Sequence, residues 1–473
     1  MSRLVIVSNR VGDLKNPTQT GGLAVAVADA LKKQGGVWFG WDGETTPSSA
    51  ATPKGPLPVA VEEIGNVTQI VASLSEQDYE DYYVGYANSV LWPLFHYRLD
   101  LVEYSQAFFK GYLKVNSAFA ASLQPFLRGD DRVWVHDYHL IPFARYLRKL
   151  GCRQRIGFFL HIPFPPPEIV AGSPNHAAIV EALLEYDVIG FQTSTDVSNF
   201  RRYVQENDMA RIGEDGTILV DGRTVLTDRF PIGIDVDAFH EMARHAPEDV
   251  RIDQMRRGIL GRKQIIGVDR LDYSKGIPAR FQAFERLLLE HPEMEKGVSL
   301  LQIAPPTREA ISAYADIRTE LEGLAGAING RFAEFDWTPI RYIHRSVPRD
   351  KLASIYRFSQ VCLVTPLRDG MNLVAKEYVA AQDAENPGVL VLSQFAGAAE
   401  EMSEALIVNP HDIDEMARSL HAALTMPLPE RCERHRALLG RIRRYDVDAW
   451  AGSFLKLLAD EADTKAFAQS SAA

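Results

Sequence analysis

A chain of 473 residues exceeds the size at which one hydrophobic core keeps growing, so two or more domains are expected. Hydrophobic residues make up 46% and charged residues 24%, as in ordinary globular enzymes, and no apolar stretch approaches a membrane-spanning length. The net charge of −11, with no basic run against it, argues against a nucleic-acid partner.

The N-terminal MSRLVIVSNR has neither a long apolar region nor a small-residue cleavage site. It reads as a first strand over 4–9, not as a signal peptide. Gly21-Gly22 then opens a helical pattern, LAVAVADALKKQ. Residues 44–58 are rich in Pro, Ser and Thr and read as a loop or sheet edge. The stretch 82–98 is dense in aromatics, and a helix is expected over 116–127. Strands are expected over 133–138, 156–161 and 188–193.

Pro, Gly and Asp in FPIGIDVDAF (230–239) separate this series from a second one. There, strands are expected at 264–270, 300–305, 361–366, 389–394 and 405–410, with helices at 278–292 and 308–329 among them. Strands alternating with helical sequence predict parallel sheets covered by helices. The fold class is therefore α/β, with two Rossmann-like domains facing one another across a substrate cleft. Boundaries are expected at 1–235 and 236–443. An amphipathic helix over 444–462 is expected to return to the first domain, before a frayed tail at 463–473. Cys152, Cys362 and Cys432 show no CxxC pairing, which argues against a disulfide framework or zinc site and fits a reducing cytoplasm.

Several strings are able to carry chemistry. Arg270 and Lys275 in VDRLDYSKG follow a strand, where an open α/β sheet binds its ligands. They suit a diphosphate, and read equally well as solvated charges. In TPLRDGMNLVAKEYVAAQ a strand runs through a glycine loop into a helix. Asp369 stands in the loop and Glu377 within the helix, where a carboxylate accepts hydrogen bonds from vicinal hydroxyls. Backbone N–H groups near Asn372, Leu373 and Val374 suit phosphate or sugar oxygens. A helix-capping role accounts for Asp369 as well.

Asp137 and His161 stand at the ends of expected strands, positions that serve sites or structural hydrogen bonds. Tyr83 and Trp92 offer flat faces to a sugar or to the core. Arg10 and Arg308 each read as a phosphate ligand or a surface cation. Gly21-Gly22 reads as a close approach to a ligand or as a tight turn.

The strings SNR, GGLA, NSVLWPLFHYRLDL, WVHDYHL, HIPFPPPE, GVDRLDYSKG, PLRDGMNLVAKEYVAAQ and SQFAGAAEE occur in order over residues 1–460. Together they resemble the trehalose-6-phosphate synthase family, whose members are two-domain retaining glycosyltransferases. The resemblance implies that Arg270 and Lys275 hold the diphosphate of UDP-glucose and Glu377 its ribose. Asp369 and the backbone of Leu373, Val374, Ala375 and Lys376 would hold its glucose and phosphates. Gly21 and Gly22 would lie against the donor, and His161 would touch its glucose. Catalysis would rest on Arg270, Lys275, His161 and Asp369. Arg10, Tyr83, Trp92, Asp137 and Arg308 would bind glucose 6-phosphate, with Arg10 and Arg308 on its phosphate.

Val347 is a departure, since the family often has an aromatic residue there, against the nucleotide base. No DxD-like metal-binding string stands in a suitable place, and neither metal nor cofactor is expected. The resemblance also implies a homo-oligomer, dimeric or tetrameric, and a separate phosphatase acting downstream. Two alternatives are a relative acting on another phosphorylated acceptor, such as glycerol phosphate, and a non-catalytic subunit of a trehalose-making complex.

Overall fold

The computed structural model describes residues 2–14, 27–28, 31, 34–47, 55–245, 255, 257, 261–308 and 311–459. Gly21, Gly22 and most of the helical pattern that follows them lie outside the described residues. The described residues form two compact units. One takes in the chain up to Pro231 together with the residues from Trp450 on, and the other runs from Ile232 to Ala449.

The first unit is built on ten strands. They are β1 (Leu4–Arg10), β2 (Gly36–Thr46), β3 (Val59–Ile64), β4 (Val67–Ser75), β5 (Arg132–His136), β6 (Arg155–Phe159), β7 (Val188–Phe191), β8 (Arg211–Ile212), β9 (Ile218–Val220) and β10 (Arg223–Arg229). They lie side by side in the order β3-β4-β2-β1-β5-β6-β7-β10-β9-β8. From β4 to β10 every neighbouring pair is parallel, and β3, β9 and β8 add antiparallel edges. The central strands are apolar on both faces, as a sheet covered on both sides requires.

The helix expected over 116–127 begins ten residues earlier. It spans Gln106–Leu123, and Ser105 caps it by accepting from the Ala107 N–H. The aromatic stretch winds as a π-helix over Tyr79–Leu91. Such widened turns are rare and occur frequently at functional sites. Here the widening stacks Tyr79 on Tyr83 at 5.3 Å between ring centroids.

Residues of the last helix, Val447–Ala459, close one side of this unit. Phe454 stacks on Trp134 at 4.7 Å and 13°. Gly157 and Gly190 admit that ring, because a Cβ on either would stand under 3.0 Å from Phe454.

The second unit holds β11 (Lys263–Val268), β12 (Val298–Ile303), β13 (Ile340–Ile343), β14 (Val361–Val364), β15 (Val389–Ser393) and β16 (Leu406–Val408). Their order is β13-β12-β11-β14-β15-β16, and all pairs are parallel. Counting from β11, this is the doubly wound order 3-2-1-4-5-6, in which the winding reverses between β11 and β14. Ligands of such sheets sit at the carboxyl ends of the two strands at that reversal. The expected helix over 278–292 is Ile277–Glu290, and that over 308–329 is Ser312–Phe332. Arg308 stands ahead of the latter in a left-handed conformation, φ 48°.

Candidate active site

Both loops at the reversal in the second unit carry the residues singled out from sequence. Arg270 and Lys275 follow β11, whereas Asp369 and the helix Leu373–Ala381 follow β14. The first loop is tight. Asp272 accepts from the Ser274 N–H at 2.9 Å, and Tyr273–Lys275 forms one 3₁₀ turn. Gly276 ends it at φ 64°, and a Cβ there would stand 2.3 Å from the Thr365 carbonyl oxygen, so both conformation and space demand glycine. The Leu367 N–H donates to Ser274 O at 2.8 Å and ties the two loops together.

Lys275 is buried, and its Nζ donates to Asp369 Oδ2 at 2.6 Å. Asp369 Oδ2 also accepts from Asn372 Nδ2 at 3.1 Å, and its Oδ1 from the Gly370 N–H at 3.0 Å. Its backbone bridges to SQFAGAAEE, donating to Phe395 O and accepting from the Gly397 N–H. The capping alternative for Asp369 is set aside. The residue ahead of the helix is Asn372, at φ 72°, and its side chain makes no capping hydrogen bond. The leading N–H groups of the helix, from Leu373 to Ala375, thus form an anion-attracting terminus.

The helix is anchored by its neighbours. Lys376, whose burial lowers its pKa, gives its Nζ to Ile232 O at 2.9 Å and Glu401 Oε2 at 2.7 Å. This leaves the Lys376 backbone, not its ammonium, to serve a ligand. Glu377 lies 3.5 Å from Arg349 Nε. Burial raises the pKa of Glu377, against the pull of Arg349. Val347 stands partly exposed in the loop two residues before Arg349.

Arg270 is exposed. Arg308 is held under the loop, donating to Tyr314 Oη at 2.7 Å and Asp272 Oδ2 at 3.3 Å.

Beneath these groups lies a pair that the sequence reading missed. Arg280 is fully buried and donates to Asp269 Oδ2 and Gln302 Oε1, both at 2.9 Å. The signal was there, since Ile277, Arg280, Phe281 and Phe284 follow helical spacing and put a cation on an apolar stripe. Asn372 Nδ2 reaches Asp269 Oδ1 at 3.3 Å and connects this pair to Asp369.

The first unit gathers a second set where its own order reverses, between β1 and β5. Arg10 ends β1 with its guanidinium 5.0 Å from the Trp41 ring centroid. Tyr83 stacks on His139 at 5.7 Å and 8°. Trp92 is 3% exposed and sits against His96 and Tyr138, so its ring faces serve packing. Asp137 follows β5 at φ 78°, a conformation rare outside glycine. Its Oδ1 accepts from the His161 N–H at 3.2 Å. His161 follows β6, and its Nε2 shares a hydrogen bond with His136 Nδ1 at 3.0 Å. Burial pushes the His161 imidazole down to about 3, so it is neutral at neutral pH.

Among the described residues, His291, Glu293 and His421 bring three metal-ligand atoms together. Their geometry does not suit one ion. The imidazoles stack face to face at 3.7 Å and 8°, so their in-plane lone pairs run parallel instead of converging. No helix among the described residues is long and apolar enough to cross a membrane.

Each unit thus carries charged side chains at the reversal of its doubly wound sheet, the position at which such sheets bind ligands. Residues 7–460 match the family model for Glycosyltransferase family 20, and the chain belongs to that family. It is 47% identical over 466 residues to the trehalose-6-phosphate synthase of Citrobacter koseri, covering 98% of this chain and 97% of the other. A crystal structure of the UDP-forming α,α-trehalose-phosphate synthase from Burkholderia xenovorans in complex with glucose-6-phosphate is 51% identical. Its TM-score is 0.93, over 97% of this chain and 100% of that one. A relative from E. coli, solved with UDP-2-fluoro glucose bound, is 47% identical with a TM-score of 0.92, over 97% of this chain and 99% of that one.

Proposed function

We propose that this protein transfers glucose from UDP-glucose to glucose 6-phosphate, giving α,α-trehalose 6-phosphate and UDP with retention at the anomeric carbon. The observation that carries this reading is the Lys275–Asp369 pair, set beside an uncapped helix terminus at the β11/β14 reversal. That arrangement offers a cation and backbone N–H groups to a diphosphate, and carboxylates to sugar hydroxyls. In the reading, Arg270, Lys275 and the N–H groups from Leu373 to Lys376 take the diphosphate. Glu377 takes the ribose and Asp369 the glucose, with Gly21 and Gly22 against the donor. Arg10, Tyr83, Trp92, Asp137 and Arg308 serve the acceptor.

The acceptor hydroxyl attacks the anomeric carbon on the face from which UDP departs. The bond to the departing phosphate oxygen breaks, and that oxygen receives the hydroxyl proton. No protein nucleophile is required. Arg270 and Lys275 neutralise charge as it develops on the diphosphate, and the protein otherwise acts by alignment. His161, neutral, serves by hydrogen bonding to the donor glucose and not as an acid. The reading extends to a cytoplasmic homo-oligomer whose product is dephosphorylated by another protein.

The test is a matrix of UDP-, GDP- and ADP-glucose against glucose 6-phosphate, glycerol phosphate and other phosphorylated acceptors, with the linkage read by NMR. The expected result is transfer from UDP-glucose to glucose 6-phosphate with an α,α linkage. Preference for another acceptor would replace the reading, and the donor arm reports what Val347 does to base choice. Arg308→Ala is expected to raise the KM for glucose 6-phosphate about tenfold or more, as loss of a charged hydrogen bond does. A response confined to the donor KM would remove Arg308 from the acceptor site.

A further inference from the structure

His161 does not stand alone at the end of β6. Its Nε2 and His136 Nδ1 are 3.0 Å apart, and the rest of the His136 ring is walled in. Trp134 lies 4.5 Å away and Trp450 6.2 Å away, between ring centroids. His136 is 0% exposed, and its Nε2 has no hydrogen-bond partner among the described residues.

Burial holds both imidazoles neutral, so each carries one proton, and one of these lies between the rings. Two arrangements satisfy this. If His161 donated from Nε2, His136 would carry its own proton on Nε2, burying an N–H with no acceptor. The indoles around it supply no acceptor in their ring planes, because an indole nitrogen only donates. Among the described residues, the Trp134 and Trp450 N–H groups are themselves buried without partners. If instead His136 donates from Nδ1, only a lone pair faces the aromatic wall. Orphaned N–H groups are the rarer defect in folded proteins, and donor-only neighbours favour the lone pair.

We infer that His136 is a positioning residue: its Nδ1–H donates to His161 Nε2 and fixes His161 as the neutral Nδ1–H tautomer, presenting a hydrogen-bond donor to a substrate hydroxyl. The link to substrate rests on the proposed glucosyl transfer, whereas the tautomer does not. The last helix takes part, since Trp450 and Phe454 build the wall that seals His136 from water.

Long-range ¹H–¹⁵N correlation on the full-length, histidine-labelled protein without substrates reads the tautomer directly, with His161→Gln assigning the signal. The expected result is a protonated Nδ1 and a bare Nε2 on His161, and the reverse pattern overturns the inference. In His136→Phe, which keeps the site apolar, the Nδ1–H preference should be lost and kcat should fall about tenfold. His136→Asn places an amide N–H near the former Nδ1 and should restore both. Unchanged kcat in a folded His136→Phe enzyme overturns the positioning role. Should that variant fail to fold, the wild-type tautomer still decides. Failure of the proposed reaction would appear separately, as wild-type protein with the expected tautomer and no transfer.

Discussion

Lys275→Ala is expected to lower turnover by about a hundred- to a thousand-fold at saturating substrates, the loss seen when one preorganised donor to a developing negative charge is removed. The geometry supports so large a figure. Lys275 is 6% exposed, on a turn whose glycine cannot be replaced without meeting the Thr365 carbonyl. Its ammonium is already oriented by Asp369, so little reorganisation accompanies charge development on the leaving diphosphate. The effect should fall on kcat more than on KM, because the departing phosphate carries more charge in the transition state than in the bound donor.

The same substitution removes the cation beside Asp369. That carboxylate keeps the Asn372 amide and the Gly370 N–H, so the expected loss of stability is moderate, about 1–3 kcal/mol. Turnover and stability are therefore separable. Lys275→Ala with Asp369→Asn should regain most of the urea midpoint and none of the turnover. Turnover of Lys275→Ala within a few-fold of wild type, or its recovery in the double variant, would remove Lys275 from the chemistry.

Much of this arrangement was legible in the sequence. The central apolar runs became strands because parallel sheets bury both faces, and their boundaries moved by only a residue or two. The start of the helix Gln106–Leu123 is weakly signalled in the sequence, by Ser105 alone, with no acidic residue in the first turn. The strands Gly36–Thr46, Val59–Ile64 and Val67–Ser75 escaped for different reasons. Glycines interrupt the first, while the edge strand Val59–Ile64 carries two adjacent glutamates.

Charged residues in the motifs were found as candidates, yet their pairing was not. Nothing in the spacing of Lys275 and Asp369, 94 positions apart, announces a 2.6 Å contact. It follows from two adjacent parallel strands ending at the same edge. His136, beside Asp137, carries no such signal, because the role of a buried imidazole depends on which ring the fold brings to it.

Arg280→Met is expected to destabilise the second unit by about 3–5 kcal/mol at neutral pH, the range for leaving one half of a buried ion pair uncompensated. The volume is roughly kept, so the loss is electrostatic and not a cavity. Arg280 reaches three strands' worth of partners: Asp269 after β11, Gln302 in β12 and Thr365 after β14. Gly267 makes room for it, since a Cβ there would stand 2.3 Å from Gln302 Oε1 and 2.5 Å from Arg280 Nη1. Burial already raises the Asp269 pKa, with Arg280 and then Lys275 pulling it back down. Without Arg280 it rises further.

A carboxyl whose folded pKa lies above its unfolded value binds its proton more readily in the folded state, so that state gains stability as pH falls through the window between the two. The Arg280→Met deficit should therefore be largest at neutral pH and shrink as the solution is acidified through the raised Asp269 value. Adding Asp269→Asn should flatten that dependence and recover much of the deficit, because no buried charge remains. Urea midpoints of the three proteins, measured from pH 7.5 downward, make the comparison. A deficit that stays constant with pH, or that Asp269→Asn deepens, would mean that Arg280 holds the site by packing and not by charge. Since Asn372 links Asp269 to Asp369, turnover in Arg280→Met should fall along with stability and recover only in part in the double variant.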